Sequence, residues 1–394
     1  VPVEDLVSLV RAGLPEGETI GVALSGGGDS TALLHLCLAA GLRVEAVTVD
    51  HRLRAESAAE AALVAGWCGA LGVPHAVQVW EHGAVAGNVM DAARRARMGL
   101  ICDWARGRGI PHLALGHTRD DQAETVLMGL SRAAGLAGLS GMRRRWQEGG
   151  VTFHRPLLDA GREELRGYLR GLGVAWIDDP TNEDDRYLRI KARQALVALA
   201  PLGVTAEGLA GVAGHLAQVQ EALAVQVQAA ARHLRETAGA LQVDAGLWNE
   251  PDEVQRLLVI AAVRWLSGAA YPPRARDLAR FWQAMRTGRQ ATLAGCEHRN
   301  GWIFREARAV GGPVPLGELW DGRWHVTGAA GTVRALGPDG LRQCTWRVTG
   351  LPREVLAVTP GLWDGDRLIH APSAGFGNRT ATCAPSFHAA LLSH

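Results

Sequence analysis

Six consecutive residues, Ser25-Gly26-Gly27-Gly28-Asp29-Ser30, bring together three glycines, two hydroxyls and one carboxylate. Glycines let a backbone turn tightly and bring its N–H groups close to an anion. The hydroxyls add donors, and a helix beginning at such a loop adds the partial positive charge of its N-terminus. This chemistry suits nucleotide phosphates. A carboxylate such as Asp29 belongs in the loop only if it holds Mg2+ or faces a cationic partner. The alternative is a plain glycine turn with Ser30 as helix N-cap.

Three other groups of residues could do chemistry. Arg94 and Arg97 are three apart in a helical pattern and share a face, where two guanidiniums could clamp phosphate bidentately; otherwise they form a solvated basic face. His117 ends an apolar run and is followed by Asp120-Asp121-Gln122-Ala123-Glu124. Asp121 and Glu124, three apart at a helix start, could converge on one cation, or could simply favour the helix dipole. Arg143-Arg144-Arg145-Trp146 combines phosphate-binding charge with a stacking ring, which suits an RNA-contacting loop or an ordinary exposed turn.

The elements that must position these groups follow from the periodicity. Strand candidates are Ile20–Leu24, Val44–Asp50, Ala76–Trp80 and His112–Gly116. Helical patterns cover Ser30–Ala40, Ala58–Leu71, Val89–Arg108 and Gln122–Leu130. This alternation predicts an α/β fold, a parallel sheet with helices on both faces. In such sheets ligands collect at the carboxyl ends of the strands, where every group above falls or on the helix that follows. Pro201 and Gly203 break the pattern. From about Thr205 to Arg289 the sequence reads as helical, most clearly over Gln218–Leu234. Beyond about Ala291, turn signals at Asp321-Gly322, Pro338-Asp339-Gly340 and Asp364-Gly365 predict a small β-rich module. Three domains are expected, over residues 1–200, 201–290 and 291–394.

The chain has 394 residues, with 41 basic and 40 acidic side chains, so its net charge does not demand a nucleic-acid partner. Lys191 is the only lysine, and no lysine is available for a Walker-type phosphate loop. Cys37, Cys68, Cys102, Cys296, Cys344 and Cys383 are scattered without a CxxC pair or zinc spacing. No apolar run is long enough to span a membrane, and Val1 to Arg11 reads as an amphipathic helix, not a signal peptide. A cytoplasmic location is the expectation.

The Ser-Gly-Gly-x-Asp-Ser pattern resembles the PP-loop of the N-type ATP pyrophosphatases, which cleave ATP between the α and β phosphates. Further segments are similar to the tRNA(Ile)-lysidine synthetase branch. These are Val49 to Ser57, Asn88 to Arg97, Gly116 to Leu127, Gly135 to Met142, Arg155-Pro156-Leu157-Leu158, and Asp178-Asp179-Pro180-Thr181-Asn182 with Arg189 and Arg193. The usual glutamate of the arginine helix is Asp91 here, and the usual tyrosine is Met98. The match covers roughly the first half, with a weaker echo from Gly295-Cys296 to Arg305-Glu306.

The resemblance implies an adenine nucleotide alpha-hydrolase-like PP-loop domain acting on ATP, free L-lysine and tRNA(Ile). It implies that the cytidine C2 oxygen attacks the α-phosphate, and that lysine then displaces AMP. Ser25, Gly26, Gly27, Gly28, Asp29, Ser30, Asp50 and His51 would bind ATP, with Asp29 holding Mg2+. Arg94, Arg97 and one of Arg189 or Arg193 would stabilise phosphate charge. Asp121 and Glu124 would hold a lysine ammonium, or Mg2+. His117 would be either the base for the amine or a phosphate contact. Arg143, Arg144, Arg145 and Trp146 would meet tRNA, with Arg274, Arg276, Arg280, Arg286 and Arg289 as a second contact. Oligomeric state is left open, a homodimer included. Thiolation is disfavoured by the missing CxxC, and an amide synthetase by the absence of a glutaminase-like nucleophile. A non-catalytic RNA-binding relative would be expected to have lost Asp29 or the Asp121/Glu124 pair.

Overall fold

The computed structural model describes residues 2–53, 56–83, 89–178 and 188–392. Arg54, Ala55, Asn88 and Asp179 to Asn182, which carry parts of the sequence motifs, lie outside the described residues. The chain divides into two compact units, Val1–Gln220 and Glu221–His394.

In the first unit the four apolar runs form strands β1 (Thr19–Ala23), β2 (Arg43–Asp50), β3 (His75–Val79) and β4 (His112–Leu115), and a hairpin adds β5 (Arg145–Glu148) and β6 (Val151–His154). The sheet order is β3-β2-β1-β4-β6-β5, parallel throughout except for the edge strand β5, which runs antiparallel to β6. The helices are α1 (Val3–Gly13), α2 (Gly28–Ala39), α3 (Ser57–Ala70), α4 (Val89–Arg108), α5 (Arg119–Leu130), α6 (Leu136–Leu139), α7 (Arg162–Leu172), α8 (Leu188–Leu199) and α9 (Ala206–Ala230).

Successive strand residues point to opposite faces. Ile20, Val22, Leu24, Val44 and Ala46 pack with Leu6, Val10, Leu33, Leu36, Leu165 and Leu169 from α1, α2 and α7. Val47, Leu113, Leu115 and Phe153 pack with Ile101, Trp104 and Ala105 of α4 on the other face. Burial on both faces explains why these strands are nearly continuous apolar runs. With strand directions thus fixed, the segments leaving β1, β2, β4 and β6 bring Ser25 to Ser30, His51, His117 and Arg155 to the carboxyl edge.

In the second unit the expected all-helical stretch is interrupted. Leu234–Thr237 (β7) and Ala240–Val243 (β8) form a hairpin that pairs with β9 (Ala291–Leu293), β10 (Cys296–Arg299) and β11 (Trp302–Arg305) in the order β7-β8-β11-β10-β9. Helices α10 (Asp252–Ser267) and α11 (Ala275–Arg286) share one core with this sheet through Leu258, Phe281, Leu241, Cys296 and Ile303. Residue 290 lies within one packed core, and the division of the chain into compact units falls inside α9. Four-residue strands show too little alternation to be separated from helix by pattern; pairing such as Trp302 with Gln242 defines them. Small antiparallel sheets built from Val314–Pro315, Thr332–Ala335, Pro360–Asp364 and Arg367–His370, and from Trp324–Val326 and Ala381–Cys383, follow as the β-rich reading expects. Among the described residues no single helix is long and apolar enough to cross a membrane.

Candidate active site

The glycine-rich loop is tied down by its own hydroxyls. Ser30 Oγ donates to Gly27 O at 3.0 Å and accepts from Ser25 N at 3.2 Å; Thr31 Oγ1 donates to Gly26 O at 3.3 Å. Helix α2 begins at Gly28, earlier than the sequence pattern indicates, and among the described residues no side chain caps its N-terminus. Ser30 is thus inside the first turn and is not the N-cap. An uncapped helix start offers its N–H groups and dipole to an anion. Gly26 sits at φ +84°, and a Cβ there would meet Ile177 and Val64 at 2.7 and 2.8 Å. Gly116, at the end of β4, lies so close to α2 that a Cβ would approach Asp29 O to 2.9 Å.

Arg162 organises the acidic side of the site. Its Nε lies 3.2 Å from Asp29 Oδ2, its Nη2 3.0 Å from Asp121 Oδ1 and its Nη1 3.3 Å from Glu124 Oε1; its backbone N–H donates to Asp120 Oδ2 at 2.7 Å. Glu124, 1% exposed, also accepts from Arg193 Nε at 3.0 Å. Arg189 Nε is 3.0 Å from Glu124 Oε2, an ion pair not aligned as a hydrogen bond. Asp121 divides its oxygens between Arg162 and the α5 capping box, accepting from Thr118 N at 2.8 Å. Burial alone would raise the Asp121 carboxyl, but Arg189 and Arg162 reverse that and hold it below its ordinary value. Asp29 goes the other way: burial raises it, Arg162 opposes, and Asp121 adds to the rise.

The opposite side is cationic. Arg155 Nε donates to His117 Nδ1 at 3.0 Å and Arg155 Nη1 donates to Arg143 O at 2.6 Å. Burial first, then Arg155, push His117 down to about 3. Burial and Arg97 bring Arg155 down to about 10. Arg97 Nε is buried with no hydrogen-bond partner among the described residues; burial, then Arg94 and Arg189, hold this guanidinium below its ordinary value. His51 is lowered by burial and by Arg97. Cations crowded together at the cost of their own pKa values form an environment fit for a polyanion.

The sequence-based candidates therefore separate. Arg162 joins Asp29 to Asp121 and Glu124, Arg189 and Arg193 pair with Glu124, and Arg97, His51, His117 and Arg155 adjoin them. Arg94 does not share the buried position of Arg97; it is largely exposed and pairs with Asp91 at 3.6 Å. Asp50 is buried beside its own loop, accepting from Arg52 N at 2.9 Å. Trp146 does not offer a bare stacking face. Its ring stacks on Phe153 with centroids 4.8 Å apart and carries the Arg155 guanidinium 4.0 Å from its centroid, because β5 pairs with β6. Arg143, Arg144 and Arg145 are all exposed, and Arg144 pairs with Asp159 at 2.6 Å.

Arg162 is the residue that sequence reasoning missed. The available signal is a cation at the first position of a helix, where the dipole disfavours it. All six cysteines are free thiols; burial pushes Cys37 and Cys296 up to about 12, which makes them inert.

A parallel sheet with an uncapped glycine-rich loop after β1, and buried carboxylates opening the helix after β4, defines a phosphate-binding α/β domain, and the family model described as PP-loop domain matches residues 4–200. A tRNA(Ile)-lysidine synthase of Ruegeria pomeroyi is 45% identical, covering 99% of this chain and 98% of that protein. Proteins of the same name from Novosphingobium aromaticivorans and Bradyrhizobium diazoefficiens are 38% and 42% identical, covering 73% and 57% of this chain and 88% and 64% of their own lengths. The chain belongs to the tRNA(Ile)-lysidine synthase family.

Proposed function

We propose that this chain ligates free L-lysine to C2 of the wobble cytidine of tRNA(Ile), consuming ATP and releasing AMP and pyrophosphate. Family membership over nearly the full length supports the reaction class. The observation that carries the residue roles is the continuity of three surfaces: the uncapped α2 N-terminus, the cations around Arg97, and the acid cluster on Arg162.

In the first step the cytidine C2 oxygen attacks the α-phosphate and pyrophosphate leaves. Negative charge builds on phosphate oxygens, and preorganised donors and cations are the catalytic requirement. The loop N–H groups, Ser25, Ser30, Arg97 and Arg189 meet it, and His51 lines the same edge. Asp29 fits Mg2+: its Oδ1 is buried beside the loop without a hydrogen-bond partner among the described residues. No group of three or more metal-ligating side chains is found among the described residues, which suits an ion held by one carboxylate and substrate phosphates. When bound, Mg2+ would neutralise phosphate charge there.

In the second step the ε-amine of lysine attacks C2 and AMP leaves. Lysine carries both ammonium and carboxylate groups, so a site mixing acids with arginines matches it better than either sign alone. Asp121 and Glu124 orient an ammonium, and Arg189 or Arg193 is available to the carboxylate. Exposed Arg143 and Arg145 on the rim suit the phosphates of a single-stranded loop, and the reaction places the protein with tRNA in the cytoplasm.

The test is to incubate the chain with ATP, labelled lysine and bulk tRNA. Label should enter RNA with AMP and pyrophosphate as co-products. Formation of ADP and phosphate instead would sink the α–β cleavage reading of the loop.

A further inference from the structure

We infer that Arg155 is a positioning residue that locks His117 as a neutral imidazole with its proton on Nε2, so that His117 serves as a hydrogen-bond donor to substrate oxygen and not as the base for lysine. This rests on the reaction proposed above and decides between the two roles open for His117.

An arginine guanidinium has donors only. Because Arg155 Nε donates to His117 Nδ1 at 3.0 Å, that nitrogen must present its lone pair. The proton of the neutral ring is then on Nε2, which leaves a donor as the only free polar atom of the side chain. Protonating Nδ1 would break the bond and set two cations against each other.

Three of the four packed elements oppose a second proton. Arg155 follows β6, Arg97 comes from α4 and Arg189 from α8; only Asp121, on α5, favours the imidazolium. Asp121 also accepts from Arg162 and from Thr118 of the α5 cap, and no hydrogen bond joins it to His117 among the described residues.

Arg155 is itself held in place. Its Nη1 donates to Arg143 O, and its guanidinium lies over Trp146, which rests on Phe153. The β5–β6 hairpin thus acts as a bracket: Phe153 supports Trp146, Trp146 supports Arg155, and Arg155 orients His117. This gives Trp146 a role in the reaction without contact with RNA. A neutral imidazole that donates to developing oxyanion charge avoids the full proton transfer that a base would need. The ammonium proton of lysine then passes to solvent water and not to His117.

The experiment uses the full chain labelled with 15N-histidine, with the His117 signals assigned by comparison with His117→Gln. In the unsubstituted protein, Nδ1 should be unprotonated and Nε2 protonated, unchanged between about pH 5 and pH 8, the window in which an ordinary histidine changes charge. In Arg155→Met the tautomer should no longer be fixed and the ring should take up a proton more readily, a partial change because burial, the larger cause of its low pKa, remains. Pyrophosphate release by that variant should fall about tenfold or more and acquire an acid limb, the loss expected when an oriented donor is disturbed. Arg155→Lys, which keeps a charged donor, should restore the tautomer and much of the rate. His117→Gln, whose amide N–H can replace Nε2–H, should retain measurable pyrophosphate release. A proton found on Nδ1, or titration of His117 within that window in the unsubstituted protein, overturns the inference even if Arg155→Met fails to fold. Failure of the reaction proposal appears separately, as no pyrophosphate release by the unsubstituted protein, and leaves the tautomer measurement intact.

Discussion

Arg162 and Asp29 stand 133 residues apart in the chain and 3.2 Å apart in the fold. Through that contact the phosphate loop after β1 is joined to the acidic start of α5, because the same guanidinium also holds Asp121 and Glu124. The cationic partner that a carboxylate in a phosphate loop requires is therefore supplied by the protein itself, and the remaining Asp29 oxygen is buried without a hydrogen-bond partner among the described residues.

Arg162→Met is expected to cost roughly 3–5 kcal/mol, the range for removing one partner of a buried ion pair. The loss should depend on pH. Asp29 has a folded pKa raised above its ordinary 3.8, so the folded protein binds the extra proton and stability falls as pH rises through that window. Asp121 is depressed, so its contribution is present above 3.8 and lost as pH falls through its folded value. Removing Arg162 raises both carboxyls. The gap in melting temperature between the two proteins should be widest near neutrality and narrow toward about pH 4. A gap independent of pH would show that packing, not charge, is what Arg162 contributes.

Asp29→Ala should abolish AMP and pyrophosphate formation with little loss of folding. Arg162 keeps Asp121 and Glu124 as partners, and the loop retains its Ser25 and Ser30 hydrogen bonds. Thermal denaturation beside a pyrophosphate assay checks this. A drop in stability as large as that of a core deletion would assign Asp29 a structural role.

Asp121→Asn and Glu124→Gln should weaken lysine use more than ATP use. A hydrogen bond to a charged group is worth about 1.5–3 kcal/mol, so each change should raise the apparent lysine requirement about ten- to a hundredfold. Pyrophosphate release without lysine should survive better than lysidine formation. Glu124→Gln should also be the less stable of the two variants, because Arg162, Arg189 and Arg193 all meet Glu124. Outright loss of pyrophosphate release in both would place the pair on Mg2+ or folding, not on lysine.

On the rim, Arg143→Ala and Arg145→Ala should each weaken tRNA binding and reduce its salt dependence by about 0.7 in log–log slope, as for a single-strand phosphate contact, with melting temperature unchanged. Trp146→Ala should instead lower stability, because it removes the ring between Phe153 and Arg155. Equal salt slopes in all three variants and the unsubstituted protein would remove this hairpin from the RNA interface.

Much of the first unit was legible because its information is local and periodic. Apolar runs of four to eight residues between helical patterns mark β1 to β4, and the glycine loop declares itself by composition. Asp121 and Glu124 are recognisable because three-residue spacing on a helix fixes a shared face. The four-residue strands β7 and β8 were not legible, since so short a run carries too little period and forms only by pairing with β11. Nor was the fate of Trp146, whose ring is covered because the β5–β6 register places Trp146 opposite Phe153. Sequence by itself determined which residue types line the carboxyl edge of the sheet and that their chemistry concerns phosphate. Only the tertiary structure decided how they divide, with Arg162 gathering the acids, Arg155 taking His117, and Arg94 left outside. Ion pairs and hydrogen bonds between distant segments depend on where the packed sheet brings them, and no local pattern records that.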